Sequence, residues 1–125
     1  MAKVLIVDDD ASFRRMLHQI FTYEPDFEVC GEAENGKEAV EKALELQPDV
    51  VVLDVLMPVM NGLEAARVLR LRMPTLPLIL NSATIDPVTE QQARTIGICE
   101  IVPKSAEVLI QKARQTLFRD NHAAA

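Results

Sequence analysis

Cysteine is scarce in this chain: its 125 residues hold two, Cys30 and Cys99, each alone in an apolar segment. Neither has a neighbour at metal-ligand spacing, which rules out metal binding through cysteine, and both read as buried, reduced thiols without chemistry. Long apolar runs are missing as well. The opening MAKVLIVDDD is continuously apolar only from Val4 to Val7 before three aspartates, too short for a signal peptide and without its small-residue cleavage site. No stretch has the length of a membrane span, so a cytoplasmic protein without membrane contact is expected. Positive charge is in deficit: the net charge of -6 argues against a surface that tracks phosphate backbones, and no direct nucleic-acid binding is expected. Internal repeats and low-complexity linkers are absent, and no glycine-rich loop follows the first apolar run.

What remains is the material of one folded domain. A hydrophobic fraction of 49% with 26% charged residues is that of a soluble globular protein with a single core. Residues 1–118 read as the domain, and 119–125, ending in DNHAAA, as a disordered tail or cloning scar.

Val4 to Val7 and Val50 to Leu53 are apolar runs of strand length, as in parallel strands covered on both faces, and each ends in aspartate. Phe27 to Cys30, Leu76 to Leu80 and Ile98 to Val102 are three further candidate strands. Between them, Phe13, Met16, Leu17, Ile20 and Phe21 keep the spacing of an amphipathic helix. A second helix is predicted from Asn35 as N-cap, with Glu38 three residues on, to Pro48. A third runs from Asn61, with Glu64 three on, to Pro74. Asp86 with Pro87 opens the fourth, and Ser105 the fifth, which runs through Leu117. Asp10, just before the first helix, is read as a cap or a solvated charge. Strand and helix thus alternate five times, which predicts an α/β fold: a doubly wound (βα)5 flavodoxin-like sandwich, its parallel five-stranded sheet in the order 2-1-3-4-5. Pro103 at the end of strand five suits the edge position this order gives it.

In such sheets ligands bind beyond the carboxyl ends of the strands, where the strand order reverses. Asp8 and Asp9 end strand one and Asp54 ends strand three, so three carboxylates converge although Asp54 lies 45 positions beyond Asp9. Two unit charges ~4 Å apart repel by about 4 kcal/mol at an effective dielectric of about 20, so the cluster calls for a proton or a cation. A hard divalent ion, Mg²⁺, fits best, and it brings phosphate oxygens with it. Ser82 ends strand four and Lys104 follows strand five, on the same rim. Taken singly, each has an ordinary explanation: a turn-forming aspartate, a loop hydroxyl, a surface lysine. The joint arrangement is what points to chemistry.

With these residues in place the sequence resembles the receiver domain of two-component response regulators, in VLIVDDD, VVVLDVLMPVMNGLEA, NSA and VPKSA, over almost the whole chain from Lys3 to about Leu117. The resemblance implies that Asp54 is the phosphoacceptor, that Asp8 and Asp9 hold Mg²⁺ together with Asp54 and the Leu56 backbone carbonyl, and that Ser82 and Lys104 bind the phosphoryl oxygens. The implied donor is a phosphohistidine on a sensor histidine kinase or histidine phosphotransfer protein, so His18 and His122 need no catalytic role. The implied output is altered contact with a downstream protein target or a homodimer, through helix four, strand five and helix five. An ionised carboxylate can attack phosphorus while metal and ammonium neutralise the equatorial oxygens.

Three positions depart from the usual pattern. Ile101 stands where the family has an aromatic switch, Asn61 where an aspartate is common, and Lys104-Ser105 replaces lysine-proline, as in receivers of the nitrate-response type. Leu56 and Thr84 are expected to flank the path of attacking water, and leucine cannot orient it, so self-dephosphorylation should be slow. Arg67, Arg70 and Arg72 read as a solvated helix face. The competing reading is a Mg²⁺-dependent aspartyl-phosphate phosphohydrolase, which would want a second acid near Leu56. Flavin binding is weaker, because Asp8-Asp9-Asp10 would repel a phosphate.

Overall fold

The computed structural model describes residues 1–83 and 85–123, the side chains of 119–123 excepted. Among the described residues, five strands and five helices alternate: β1 Ala2–Val7, α1 Ala11–Thr22, β2 Phe27–Ala33, α2 Gly36–Leu46, β3 Val50–Leu53, α3 Gly62–Arg72, β4 Leu78–Asn81, α4 Pro87–Ile96, β5 Glu100–Val102 and α5 Ala106–Ala123. The sheet is parallel throughout, in the order β2-β1-β3-β4-β5, which is the doubly wound flavodoxin-like arrangement expected.

Alternation along each strand sorts the core into two layers. Val4, Ile6, Val50, Val52 and Ile79 meet Leu17 and Phe21 of α1 and Leu109, Ile110 and Ala113 of α5. Leu5, Val7, Val51, Leu53, Leu78 and Leu80 face the opposite layer, where Ala39, Ala43, Ala65 and Ala66 let α2 and α3 pack close to the sheet. This parity continues past the strands: Asp8 follows Ile6 by two and Asp54 follows Val52 by two, which sets both acids on the α1/α5 side.

The helix starts are set by local chemistry. Asp10 accepts from the Ser12 and Phe13 N–H groups, Asn35 from Glu38, and Asp86 from Thr89 ahead of Pro87. Asn61 and Glu64 form a reciprocal capping box. Each such cap contributes about 1 kcal/mol. Ser105 precedes α5 and receives the Leu109 N–H on its carbonyl, 2.9 Å away. Gly97, at φ 92°, closes α4 in the left-handed conformation that glycine adopts without strain.

Several boundaries differ from expectation. β2 continues to Ala33 because an edge strand bonds to one neighbour and tolerates Glu28 and Glu32; Cys30 is bypassed where Val4 pairs with Val29 and Leu5 with Gly31. β5 begins only at Glu100, so Cys99 sits in the preceding turn and is exposed, not buried as expected; Cys30 is half-buried. Arg70 is not part of a solvated face. Its guanidinium donates to the carbonyls of Pro74, Leu76, Ile96 and Gly97, at 2.8–3.2 Å, and so ties the ends of α3 and α4 together. α5 runs on to Ala123, beyond Leu117 where its apolar pattern ends. Of the stretch 119–125, the side chains and residues 124–125 lie outside what is described, as does the side chain of His122.

Two contacts position these layers. Arg114 of α5 holds Asp26 through two hydrogen bonds of 2.7 and 2.8 Å and Glu24 through one of 2.7 Å, with its guanidinium 5.6 Å from the Phe27 ring centroid. Gly62 opens α3 directly against Asp54: a Cβ there would lie 1.9 Å from the Asp54 carbonyl oxygen. Gly62→Ala is therefore expected to lower the unfolding free energy by at least about 2 kcal/mol in urea titrations. The Arg114 ion pairs are partly exposed, 41% for Arg114 and 33% for Asp26, so solvent screening limits them. The Arg114 hydrogen bonds hold the Asp26 carboxyl below its ordinary value of 3.8, against a smaller opposing effect of burial. That stabilisation is present above the unfolded value and is lost as pH falls through the depressed one. Arg114→Gln is expected to cost about 0.5–1 kcal/mol at neutral pH, and the gap from the parent should narrow as acid protonates Asp26.

Candidate functional site

The carboxyl ends of β1 and β3 bring Asp8, Asp9 and Asp54 together, with one ligand oxygen from each within 4.8 Å of the others. Asp8 and Asp54 are 1% and 5% exposed, and Asp9 is exposed. The sheet ladder fixes both buried acids: the Asp8 N–H donates to the Ala33 carbonyl at 3.0 Å and the Asp54 N–H to the Val7 carbonyl at 3.1 Å. Lys104 reaches them from beyond β5, its Nζ lying 3.0 Å from Asp8 Oδ2 and 3.2 Å from Asp54 Oδ2. The Lys104 ammonium also lies 4.8 Å from the centroid of the Phe13 ring, an attractive cation–π contact.

Each carboxylate divides its oxygens between separate tasks. Asp8 Oδ1 accepts the Asp10 N–H at 2.9 Å and Asp54 Oδ1 the Val55 N–H at 2.8 Å. The Oδ2 atoms turn to the lysine. The Asp8 contact is an ion pair by distance, yet Asp8 Oδ2 is buried without a directional hydrogen-bond partner. A buried carboxylate oxygen held only by an ion pair, within a three-acid cluster, fits a hard, oxygen-seeking cation. Burial pushes the Asp8 carboxyl up, outweighing the Asp10 N–H and Lys104, which pull it down. Burial also pulls the Lys104 ammonium down, but its close contact with Asp8 and the nearby Asp54 charge prevail and raise it, so it is charged at neutral pH.

Ser82 follows β4, buried, with its N–H donating to the Val102 carbonyl at 3.1 Å. Leu56 lies two residues past Asp54, its side chain 72% exposed at the mouth of the site. Thr84 lies outside the described residues. Ile101 is half-buried against the α2–α4 layer.

Three supporting residues were not singled out by the sequence. Phe13 looked like an ordinary core position of α1 but lies beside Lys104. Arg14 donates through Nη1 to the Asp8 carbonyl at 2.6 Å and through Nε to Glu32 at 2.9 Å; His18 Nδ1 lies 2.6 Å from the same carboxylate, and Lys42 donates to the Glu32 carbonyl. Asn81 ends β4 buried. The available signal was its polarity at the end of an apolar strand. A cavity of about 910 Å³ lies elsewhere, between α1 and α5 beside Ile20, Ile110 and Arg114, and none of the clustered acids lines it.

Comparison with known proteins agrees with this geometry. Residues 4–114 match the family model described as the response regulator receiver domain. A protein-glutamate methylesterase/protein-glutamine glutaminase of Pyrococcus horikoshii is 44% identical over 104 residues, which are 82% of this chain and 28% of that protein. The chain spans less than a third of the length of the curated relatives it matches first, between 28% and 31%. Among solved structures, the response regulator domain of Thermotoga maritima CheB aligns with a TM-score of 0.86 at 34% identity, covering 94% of this chain and 96% of that one. A CheX–CheY–BeF3–Mg complex from Borrelia burgdorferi aligns with a TM-score of 0.86 at 28% identity, covering 92% and 88%. The chain belongs to the response regulator receiver domain family of two-component signalling.

Proposed function

We propose that Asp54 accepts a phosphoryl group from a phosphohistidine on a sensor histidine kinase or histidine phosphotransfer protein, and that the domain thereby switches its contacts with a downstream protein or a second copy. The observation that carries this reading is the meeting of Asp54 with two further carboxylates and the Lys104 ammonium at one sheet rim. Asp54 Oδ2 attacks phosphorus, an O–P bond forms as the P–N bond breaks, and the imidazole leaves. Lys104, whose Nζ lies 3.2 Å from Asp54 Oδ2, offsets charge on the transferred oxygens, and Ser82 supplies a hydroxyl to one of them. Asp8 and Asp9, with Asp54 and the Leu56 carbonyl, are the groups that would hold Mg²⁺, which lends positive charge to the equatorial oxygens. The BeF3–Mg complex of the Borrelia relative supports this by family likeness. Arg14 keeps the Asp8 backbone in place, so the acid pair is presented on a braced loop.

The domain catalyses its own phosphorylation and dephosphorylation and nothing further. A turnover phosphohydrolase would need a proton donor beside the acceptor, and the exposed Leu56 has none. Output runs through α4, β5 and α5, where Ile101 has no ring to rotate.

Incubation with Mg²⁺ and a small-molecule phosphodonor, read by intact mass, should add one phosphoryl group to the wild type and none to Asp54→Asn; equal gain by both proteins rejects Asp54 as acceptor. Once phosphorylated, the wild type should hold the group several-fold longer than Leu56→Asn, whose amide can orient water at the mouth of the site. Equal or slower phosphate loss in the variant would show that Leu56 does not set the lifetime.

A further inference from the structure

Asn81 is 1% exposed, and its Oδ1 has no hydrogen-bond partner among the described residues. A buried oxygen left in this way is destabilising unless a donor arrives to use it. The strand registers identify that donor. β3 and β4 pair Leu53 with Leu80, so one step on Asn81 stands beside Asp54. β4 and β5 pair Asn81 with Val102, and Val102 shares the α1/α5 side with Ile79 and Val52, two residues before Asn81 and Asp54. Asn81 therefore lies on the same sheet face as Asp54 and Asp8. Lys104, anchored beyond β5, reaches Asp54 at the end of β3 and Asp8 at the end of β1. Its side chain must cross the end of β4, which is where Asn81 lies.

The Lys104 ammonium lies against Asp8 Oδ2 and Asp54 Oδ2, two oxygens that a divalent cation in the acid cluster would draw upon. As they turn to the metal, the ammonium loses acceptors while keeping three N–H donors to satisfy. A carboxylate on β4 would compete for the charge, and an apolar residue would leave it unpartnered; a neutral carboxamide oxygen does neither. We infer that Asn81 is a positioning residue, whose Oδ1 accepts a hydrogen bond from Lys104 when Mg²⁺ engages the acids and so keeps the ammonium directed at Asp54. This deepens, and rests on, the reading of the acid cluster as a Mg²⁺-assisted phosphoacceptor site.

The test is Mg²⁺ binding by the unphosphorylated protein, followed by calorimetry or amide NMR shifts, since the chain has no tryptophan. Asn81→Val suits a strand interior and removes the orphaned oxygen, so without Mg²⁺ its melting temperature should equal or exceed that of the wild type. Its Mg²⁺ affinity should nevertheless fall roughly tenfold, the scale of one hydrogen bond to a charged group. Asn81→Thr, isosteric with valine but bearing a hydroxyl acceptor, should recover part of the loss. In a Lys104→Met background the Asn81→Val effect should disappear. The inference is overturned if Asn81→Val binds Mg²⁺ as the wild type does, if the threonine and valine variants are alike, or if the loss persists without Lys104. A wild type that takes no Mg²⁺ and no phosphoryl group overturns the underlying reading, and the inference with it.

Discussion

One ammonium group between two buried carboxylates organises the whole rim. Asp8 and Asp54 close strands that are otherwise apolar, and removing a carboxylate from water costs several kcal/mol even after relaxation. Lys104 recovers part of that cost, but it reaches the acids only because β5 lies two strands from β3 and the loop after it turns back across the sheet. The remainder comes from the strands themselves. Val50, Val51, Val52 and Leu53 are each at most 1% exposed, and burying such a side chain contributes about 1.5–3 kcal/mol. The apolar run outweighs the charge at its end, so the Asp54 carboxylate can be fixed at the end of the sheet and not carried on a mobile loop.

The loop that follows is braced in a different way. Val59 takes φ 69°, and the Met60 N–H donates to the Pro58 carbonyl at 2.7 Å, a tight turn centred on a β-branched residue in the left-handed region. Such a conformation costs about 1–3 kcal/mol and persists only where the surroundings fix it. Here they do: the Met60 carbonyl accepts the Gly36 N–H at 2.8 Å, and the Gly62 N–H donates to Val55 at 2.8 Å. The strained turn thus joins the site loop to the start of α2 and holds Gly62 against the Asp54 carbonyl. Leu56 and Val59 remain outside, at 72% and 78% exposure, as apolar groups around an acidic opening.

Much of this was legible because its signals are local. Asn35, Asn61 and Asp86 cap the next turn through groups three residues away, and the apolar runs ending in Asp8 and Asp54 identify buried parallel strands by their length. Strand order then follows from chain connectivity, and with it the meeting of the acids and Lys104. Tertiary partners decided what the sequence could not show. Arg70 resembles any surface arginine until the ends of α3 and α4 present four carbonyls to it. Arg14 gains its meaning from the Asp8 carbonyl, and Phe13 from a lysine 91 positions away. An apolar segment does not reveal where its strand begins, so Cys99 falls in the turn before β5, and a strand's last residue, as Asn81 is of β4, is hard to tell from the first of its loop.

Among the described residues three buried oxygens lack a hydrogen-bond partner, Asp8 Oδ2, Asn81 Oδ1 and Thr116 Oγ1, the first of them held by its ion pair with Lys104 alone. Native interiors seldom leave such groups unsatisfied, since each costs about 1–3 kcal/mol. The first two stand at the rim: Asp8 Oδ2 belongs to the acid cluster, and Asn81 ends β4, between β3, which Asp54 follows, and β5, beyond which Lys104 is anchored. A core free to optimise stability alone would place an apolar residue at the end of β4, as it does at Leu78, Ile79 and Leu80. On the inference above, the carboxamide serves an arrangement of charge in which the lysine has let go of at least one acid. Stability is given up at the strand ends, where the acids cluster, and recovered in the apolar layers behind them.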